Sequence, residues 1–337
     1  MAYAAFSPKG FKAWVIEETV TGNNLGALDS PAITSGLLQL DVDSVAYPSI
    51  APNQNVDVRT SIGRVAHKND FFQDDVIRAT EVSLSGTYHN DTGHILLMQS
   101  ACGVALQSTV ADVAIPTAST TVSGKYGESE ANKTFTLVLA PPDTTDGYNI
   151  VMVGCLCTNF TISADTGTEG GIYKWSATIS TGMKPITNNT TAEAGTAYSS
   201  APISINTLTG ATTVNSIAST VLSSFSVSVD SPAVYSGFLA NGYHTYGRAP
   251  ELAVTADVQV KYDSVTRPIL NNFNTQSAAD EADMLTLTQA TANNCSIAIG
   301  AGVLTNAALS EGDIMMMDVS IKAVNVGNNI IAFDLAA

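Results

Sequence analysis

The residues most able to do chemistry in this chain are four histidines, four cysteines and two short acidic clusters. His67, His89, His94 and His244 could act as general bases or metal ligands. None stands at ligand spacing from another histidine or a cysteine, so turn and surface roles are expected. Cys155 and Cys157 lie in the apolar run Val151–Cys157. On a strand their side chains share one face, which predicts a core pair in preference to a disulfide or metal site. Cys102 and Cys295 complete the set. Asp70, Asp74 and Asp75 surround Phe71 and Phe72, and Asp280, Glu281 and Asp283 form a second cluster. Neither has calcium-loop spacing, and a solvated surface is the expectation for both. Met315–Met317 offers thioethers to a soft metal, but strand packing explains it better. There is no G-x-S-x-G elbow, no G-x-G-x-x-G after a strand and no P-loop lysine. The expectation is a chain that is no enzyme and holds no cofactor or metal.

Composition points the same way. Of 337 residues only 13% are charged, and 14 Lys+Arg against 30 Asp+Glu leave a formal charge of −16. A conventional nucleic-acid surface needs clustered cations facing phosphates, and so acidic a chain repels DNA overall. No apolar run approaches the ~20 residues of a membrane span, so no membrane association is expected. Met1–Gly10 lacks the basic region, apolar core and cleavage site of a secretion signal. Synthesis in the cytoplasm, with the cysteines as thiols, is therefore expected.

The elements that must carry these residues read as strands. Period-2 alternation marks Leu38–Val42, Phe135–Leu139, Phe160–Ile162, Phe225–Val229, Val258–Tyr262 and Val319–Lys322. Helical patterning is confined to His94–Cys102, with Asp91 or Thr92 as cap and Gly103 as stop, and to Arg267–Asp283, with Thr266 as cap and Pro268 in the first turn.

Those two helices expose an internal duplication. Tyr88, Thr92, Ile95 and Leu96 line up without gaps on Tyr262, Thr266, Ile269 and Leu270. Leu37–Asp43 resembles Leu222–Asp230, Gly154–Ser163 resembles Ala301–Ser310, and Ile172, Trp175 and Ile179 resemble Ile314, Met317 and Ile321. The expected organisation is an N-terminal arm over 1–35, a first repeat over 36–185 with an insertion at 104–133, a linker over 186–214, and a second repeat over 215–337. Within the arm, Trp14, Val15 and Ile16 form a strand with no partner in the repeat scheme. Docking on a neighbouring subunit would cover that apolar cluster, and a chain lacking residues 1–20 is expected to fold yet polymerise poorly.

The N-terminal arm, the Ser/Thr-rich alternating strands Leu222–Asp230, the segment Glu251–Asp263 with its helix and the closing strand Ile314–Val324 resemble the tail tube proteins of long-tailed bacteriophages. That resemblance implies a mainly β chain of two tandem homologous β-sandwich or barrel domains, each with a short flanking α-helix. It further implies a virion structural protein whose rings stack into a tube that conducts the genome into the host. In a two-domain variant three chains make a pseudo-hexameric ring, and the Tyr88 and Tyr262 strand–helix units would mark equivalent assembly positions. Partners would be the chain itself, the tail tip or baseplate, terminator and tape measure proteins, and DNA passing through the lumen without specific binding. The charge balance adds the expectation of a net-negative lumen. A capsid-decorating or other virion protein and a cell-surface adhesin-like β module share the same composition.

Overall fold

The computed structural model describes residues 10–18, 36–48, 53–56, 71–74, 80–104, 113–115, 134–140, 149–189, 195–209, 212–218, 221–239, 242–249, 252–279, 283–289, 295–324 and 330–335. His67, Asp70, Asp75, Asp280 and Glu281 lie outside them. In the first part of the chain come β1 (Lys12–Glu17), β2 (Leu37–Leu40), β3 (Ser44–Ala46), β4 (Asn53–Val56), β5 (Phe71–Asp74), β6 (Thr80–Thr87), α1 (Thr92–Cys102), β7 (Val113–Ile115), β8 (Phe135–Ala140), β9 (Asn149–Asp165) and β10 (Lys174–Thr181). Next follow β11 (Ile186–Asn189), β12 (Gly195–Thr196), β13 (Thr213–Val214), β14 (Ile217–Ala218), β15 (Leu222–Asp230), β16 (Ala233–Leu239), β17 (Gly242–Arg248) and β18 (Ala253–Lys261). The chain closes with α2 (Arg267–Thr275), β19 (Leu285–Leu287), β20 (Ser296–Ile299), β21 (Gly302–Ser310), β22 (Met316–Ala323) and β23 (Ile331–Asp334). The architecture is mainly β, as expected, and no described helix is long and apolar enough to cross a membrane.

Alternation in sequence becomes alternation in burial. Val82 and Leu84 of β6, and Phe225, Val227 and Val229 of β15, point into one core while the residues between them face out. In β3, β6, β10 and the C-terminal part of β9, neighbours lie antiparallel in that order. β15, β18, β22 and β21 repeat the order. Registers correspond as well. Trp175 stands opposite Gly86 and Ile179 opposite Val82; Met317 stands opposite Val260 and Ile321 opposite Ala256.

Even the irregularities match. β9 slips one residue against β10 at Thr158, whose hydroxyl donates to the Thr178 carbonyl at 3.1 Å. β21 slips against β22 at Thr305, whose hydroxyl donates to the Ser320 carbonyl at 3.2 Å. A bulge leaves one residue outside the ladder, and here a threonine fills each gap.

A second layer pairs β2, β1, β8 and the N-terminal part of β9 in that order. β14, β13, β19 and β20 pair in the same sequence, extended by β23 and β7. β9 passes from one layer to the other through Gly154, at φ +64. The buried Glu18 carboxylate accepts from the Gly154 amide at 2.9 Å and from the Thr136 hydroxyl at 2.7 Å, which holds the bend. Helix α1 is buried on nearly every side, with the polar His94, Gln99 and Ser100 buried beside its apolar residues, so its periodicity is faint. It runs from Asp91 as N-cap to Gly103 at φ 64, the expected left-handed stop.

Several expectations are corrected. β1 is not unpartnered: it lies between β2 and β8, with Val15 opposite both Leu38 and Leu137. Val15 joins the main core, and Trp14 joins a second cluster with Leu37, Val138 and Val151. The strand beside β6 is β3 and not the Leu37–Asp43 segment that resembles Leu222–Asp230, whose β2 pairs with β1 instead. Alternation fixes which face a residue takes, not which strand it joins. Helix α2 stops at Thr275 rather than continuing to Asp283, because its Asn-rich end favours helix weakly and Gln276 turns extended to accept from the Leu304 amide at 2.9 Å. Within the stretch expected to be a linker, Ile186, Ile203, Ile205 and Val214 are buried. Within the expected insertion, β7 pairs with β23 near the C-terminus.

Candidate functional site

Among the described residues the four cysteines, His89 and His94 are engaged structurally. All four cysteines are buried and unpaired with one another. Burial pushes the Cys157 and Cys295 thiols up to about 12 and those of Cys102 and Cys155 upward too, so none offers a thiolate nucleophile. His89 Nε2 lies 2.9 Å from Asp41 Oδ2, and its Nδ1 lies 2.7 Å from the Ser200 carbonyl. Asp91 Oδ2 accepts from the amides of Ser199 and Ser200 at 3.2 and 3.1 Å. Together these groups clamp the segment after β12 onto the turn before α1. His94 is fully buried beside them and accepts from the Asp41 amide at 3.3 Å. Burial, with His89 nearby, lowers its pKa to about 3 and keeps the ring neutral. Among the described residues no His, Cys, Asp or Glu cluster could hold a metal ion. Asp283 is exposed, whereas Met317 is buried opposite Val260.

Arg248 is the one buried guanidinium among the described residues. It donates to the Cys157 carbonyl at 2.5 Å, the Ser231 carbonyl at 2.9 Å and the Ser100 hydroxyl at 3.1 Å. Those bonds tie the β9 bulge, the base of the β16–β17 hairpin and the last turn of α1 together.

What remains distinctive is a seam, two edges and a face. The seam is the antiparallel pairing of β9 with β15, from Asn159 opposite Asp230 to Asp165 opposite Ser224. Through it the strand order runs β3, β6, β10, β9, β15, β18, β22, β21 without a break. β3 and β21 are left at the two ends, each paired on one side only among the described residues.

The outward face of these eight strands is mostly polar, with Val303, Ala308 and Met316 as apolar residues at the β21 end. One row of cross-strand partners reads Ser85, Ser176, Thr161, Ser228, Thr255 and Lys322. Hydrogen bonds knit the rows: Thr161 to Ser228 at 3.0 Å, Ser320 to Asp257 at 2.6 Å and Gln259 to Asp318 at 2.8 Å. Glu81, Asp165, Asp230, Asp257 and Asp318 supply the acids on this face, and Lys174, Lys261 and Lys322 the bases. Five carboxylates outnumber three ammonium groups. An open trough of about 520 Å³, lined by Asp165, Ser226, Asp257 and Asp318 among others, lies against this face across the seam.

Trp14 and Val15 are buried within the chain, with Ile16 packed beside them. Tyr88 is fully buried, its hydroxyl beside the Cys295 thiol, and Tyr262 is half-buried against the same core. The edge residues Tyr47 and Leu309 were missed. No sequence signal marks them, because which strand lies at an edge is decided only by the tertiary pairing.

Residues 13–324 match a family described as phage tail tube protein. Comparison with curated proteins finds no match.

Proposed function

The chain belongs to the phage tail tube protein family, a structural component of the virion tail, and on that premise we propose that it builds stacked rings forming the conduit for DNA ejection. The observation that carries this reading is the seam. Two four-strand units of like order and register join edge to edge through β9 and β15, and among the described residues the same two kinds of edge are left without a second neighbour at β3 and β21. A heterologous edge contact that closes on itself gives a ring and removes every open strand edge.

On this reading the chain is a tandem of two homologous β domains. Three chains make a pseudo-hexameric ring, as in a siphovirus-like, long-tailed phage. The matching bulges at Thr158 and Thr305 support duplication. The polar face of the eight-strand sheet lines the lumen. Its hydroxyls stay hydrated, and its excess of carboxylates repels phosphates softly over a Debye length of about 8–10 Å, so the duplex slides without counterion-release binding. Tail tip, terminator and tape measure proteins meet the ends and the interior of the stack. The family match favours this reading over a capsid-decorating role or an adhesin.

Negative-stain microscopy of the purified full-length chain tests it. Rings or tubes with a central channel are expected, and monomers or capsid-bound knobs alone would overturn it.

A further inference from the structure

The seam inside the chain also specifies how one chain meets the next, an inference that rests on the edge-to-edge reading above. Across the seam Val227 stands opposite Ile162, and the Phe225 ring meets Tyr173 with centroids 5.0 Å apart and planes at 76°. All four side chains are buried.

Each has a counterpart at a free edge. Trp175 pairs with Ile162 as Met317 pairs with Leu309, so Leu309 takes the place of Ile162. The Tyr88 amide donates to the Tyr173 carbonyl at 2.9 Å, and the Tyr262 amide donates to the Met315 carbonyl at 3.0 Å, so Met315 takes the place of Tyr173. At the other end, Val45 stands opposite Leu84 as Phe225 stands opposite Val258. One position on in each alternation, Tyr47 takes the place of Val227.

Three of these counterparts reverse that burial, while Val45 stays half-buried against its own core. Leu309 is 43% exposed, Met315 46% and Tyr47 43%, against 0% for Ile162 and Tyr173. Ile314, beside Met315, is 60% exposed. Apolar side chains clustered at an unpaired edge mark an interaction surface. We propose that β3 of a second copy docks antiparallel on β21, with its Tyr47 opposite Leu309 and its Val45 against Met315. Pro48 follows Tyr47 and donates no ladder hydrogen bond. The backbone ladder is therefore short, and the contact depends on these side chains.

Cysteine pairing tests the register in the full-length chain, whose four native cysteines are buried. With Tyr47→Cys and Leu309→Cys together, oxidation should convert most of the assembled protein into covalent oligomers. Tyr47→Cys with Thr305→Cys, about 13 Å farther along the strand, should leave it monomeric on a denaturing gel. Leu309→Asp changes a side chain exposed in the single chain. It should keep the wild-type urea midpoint yet lower ring yield by about tenfold or more, because the ring would bury a carboxylate against Tyr47. Rings that form without the first cross-link, or that persist at wild-type yield in Leu309→Asp, overturn this register and leave the tube reading standing. A wild-type chain that forms no rings refutes the tube reading itself.

Discussion

Ile162 of β9 faces Val227 of β15 directly across the line where the two halves of the sheet meet, and neither side chain is reached by water. This seam is core rather than a contact between separate bodies. Phe225→Ala, two residues from Val227, should therefore destabilise the whole chain by about 3–5 kcal/mol through lost burial and the cavity left beside Tyr173. Urea unfolding checks it. A single transition with a lowered midpoint is expected, whereas an unchanged midpoint would mean that the seam contributes little to stability.

Removal of residues 1–17 should abolish folding rather than yield a folded, assembly-defective chain. β1 is an interior strand, and its loss unpairs β2 and β8 together and strips Val15 and Trp14 from two cores. Circular dichroism of the truncated chain should lack a cooperative melt. A cooperative melt near that of the full chain would restore the view of this segment as an arm that serves assembly and not folding.

Acid should weaken the fold through His94. The folded ring stays neutral down to about pH 3, while the unfolded ring takes up a proton below its ordinary value of 6.5. Between those limits the unfolded state binds more protons, so stability falls as pH drops from 6.5 towards 3, by at most about 1.4 kcal/mol per pKa unit of the shift. His94→Gln removes that proton uptake. Comparing urea midpoints at pH 7 and pH 4.5 should show a smaller acid loss in the variant, and equal losses would clear His94 of the effect.

Lysines in place of Asp257 and Asp318 should leave folding and assembly intact, since both side chains lie on the open polar face. Particles carrying them should eject DNA slowly or incompletely, and more so at low salt, because a basic wall captures phosphates. Ejection kinetics unchanged at low salt would assign the acidic excess to keeping the protein dispersed.

The sequence disclosed the face of each strand better than its partners. Alternation in Phe225–Val229 and Val319–Lys322 reported inward and outward residues correctly, and Gly103 marked the end of α1 by its left-handed backbone. The strands that end before Tyr88 and Tyr262 pair in like register, Val82 opposite Ile179 and Ala256 opposite Ile321. β3 left no signal because three residues, Ser44–Ala46, are too short to show a period. β1 misled because nothing in Lys12–Glu17 reveals that β8 lies over a hundred residues away in sequence. The clamp of His89, Asp41 and Ser200 was hidden for the same reason: its members meet only after both layers have formed.

If one chain supplies two ring positions, the mass of a single isolated ring shows it most directly. Native mass spectrometry of rings released from short tubes should give three whole chains per ring, with end-on images showing six-fold modulation built from three-fold units. A ring of six whole chains would contradict it.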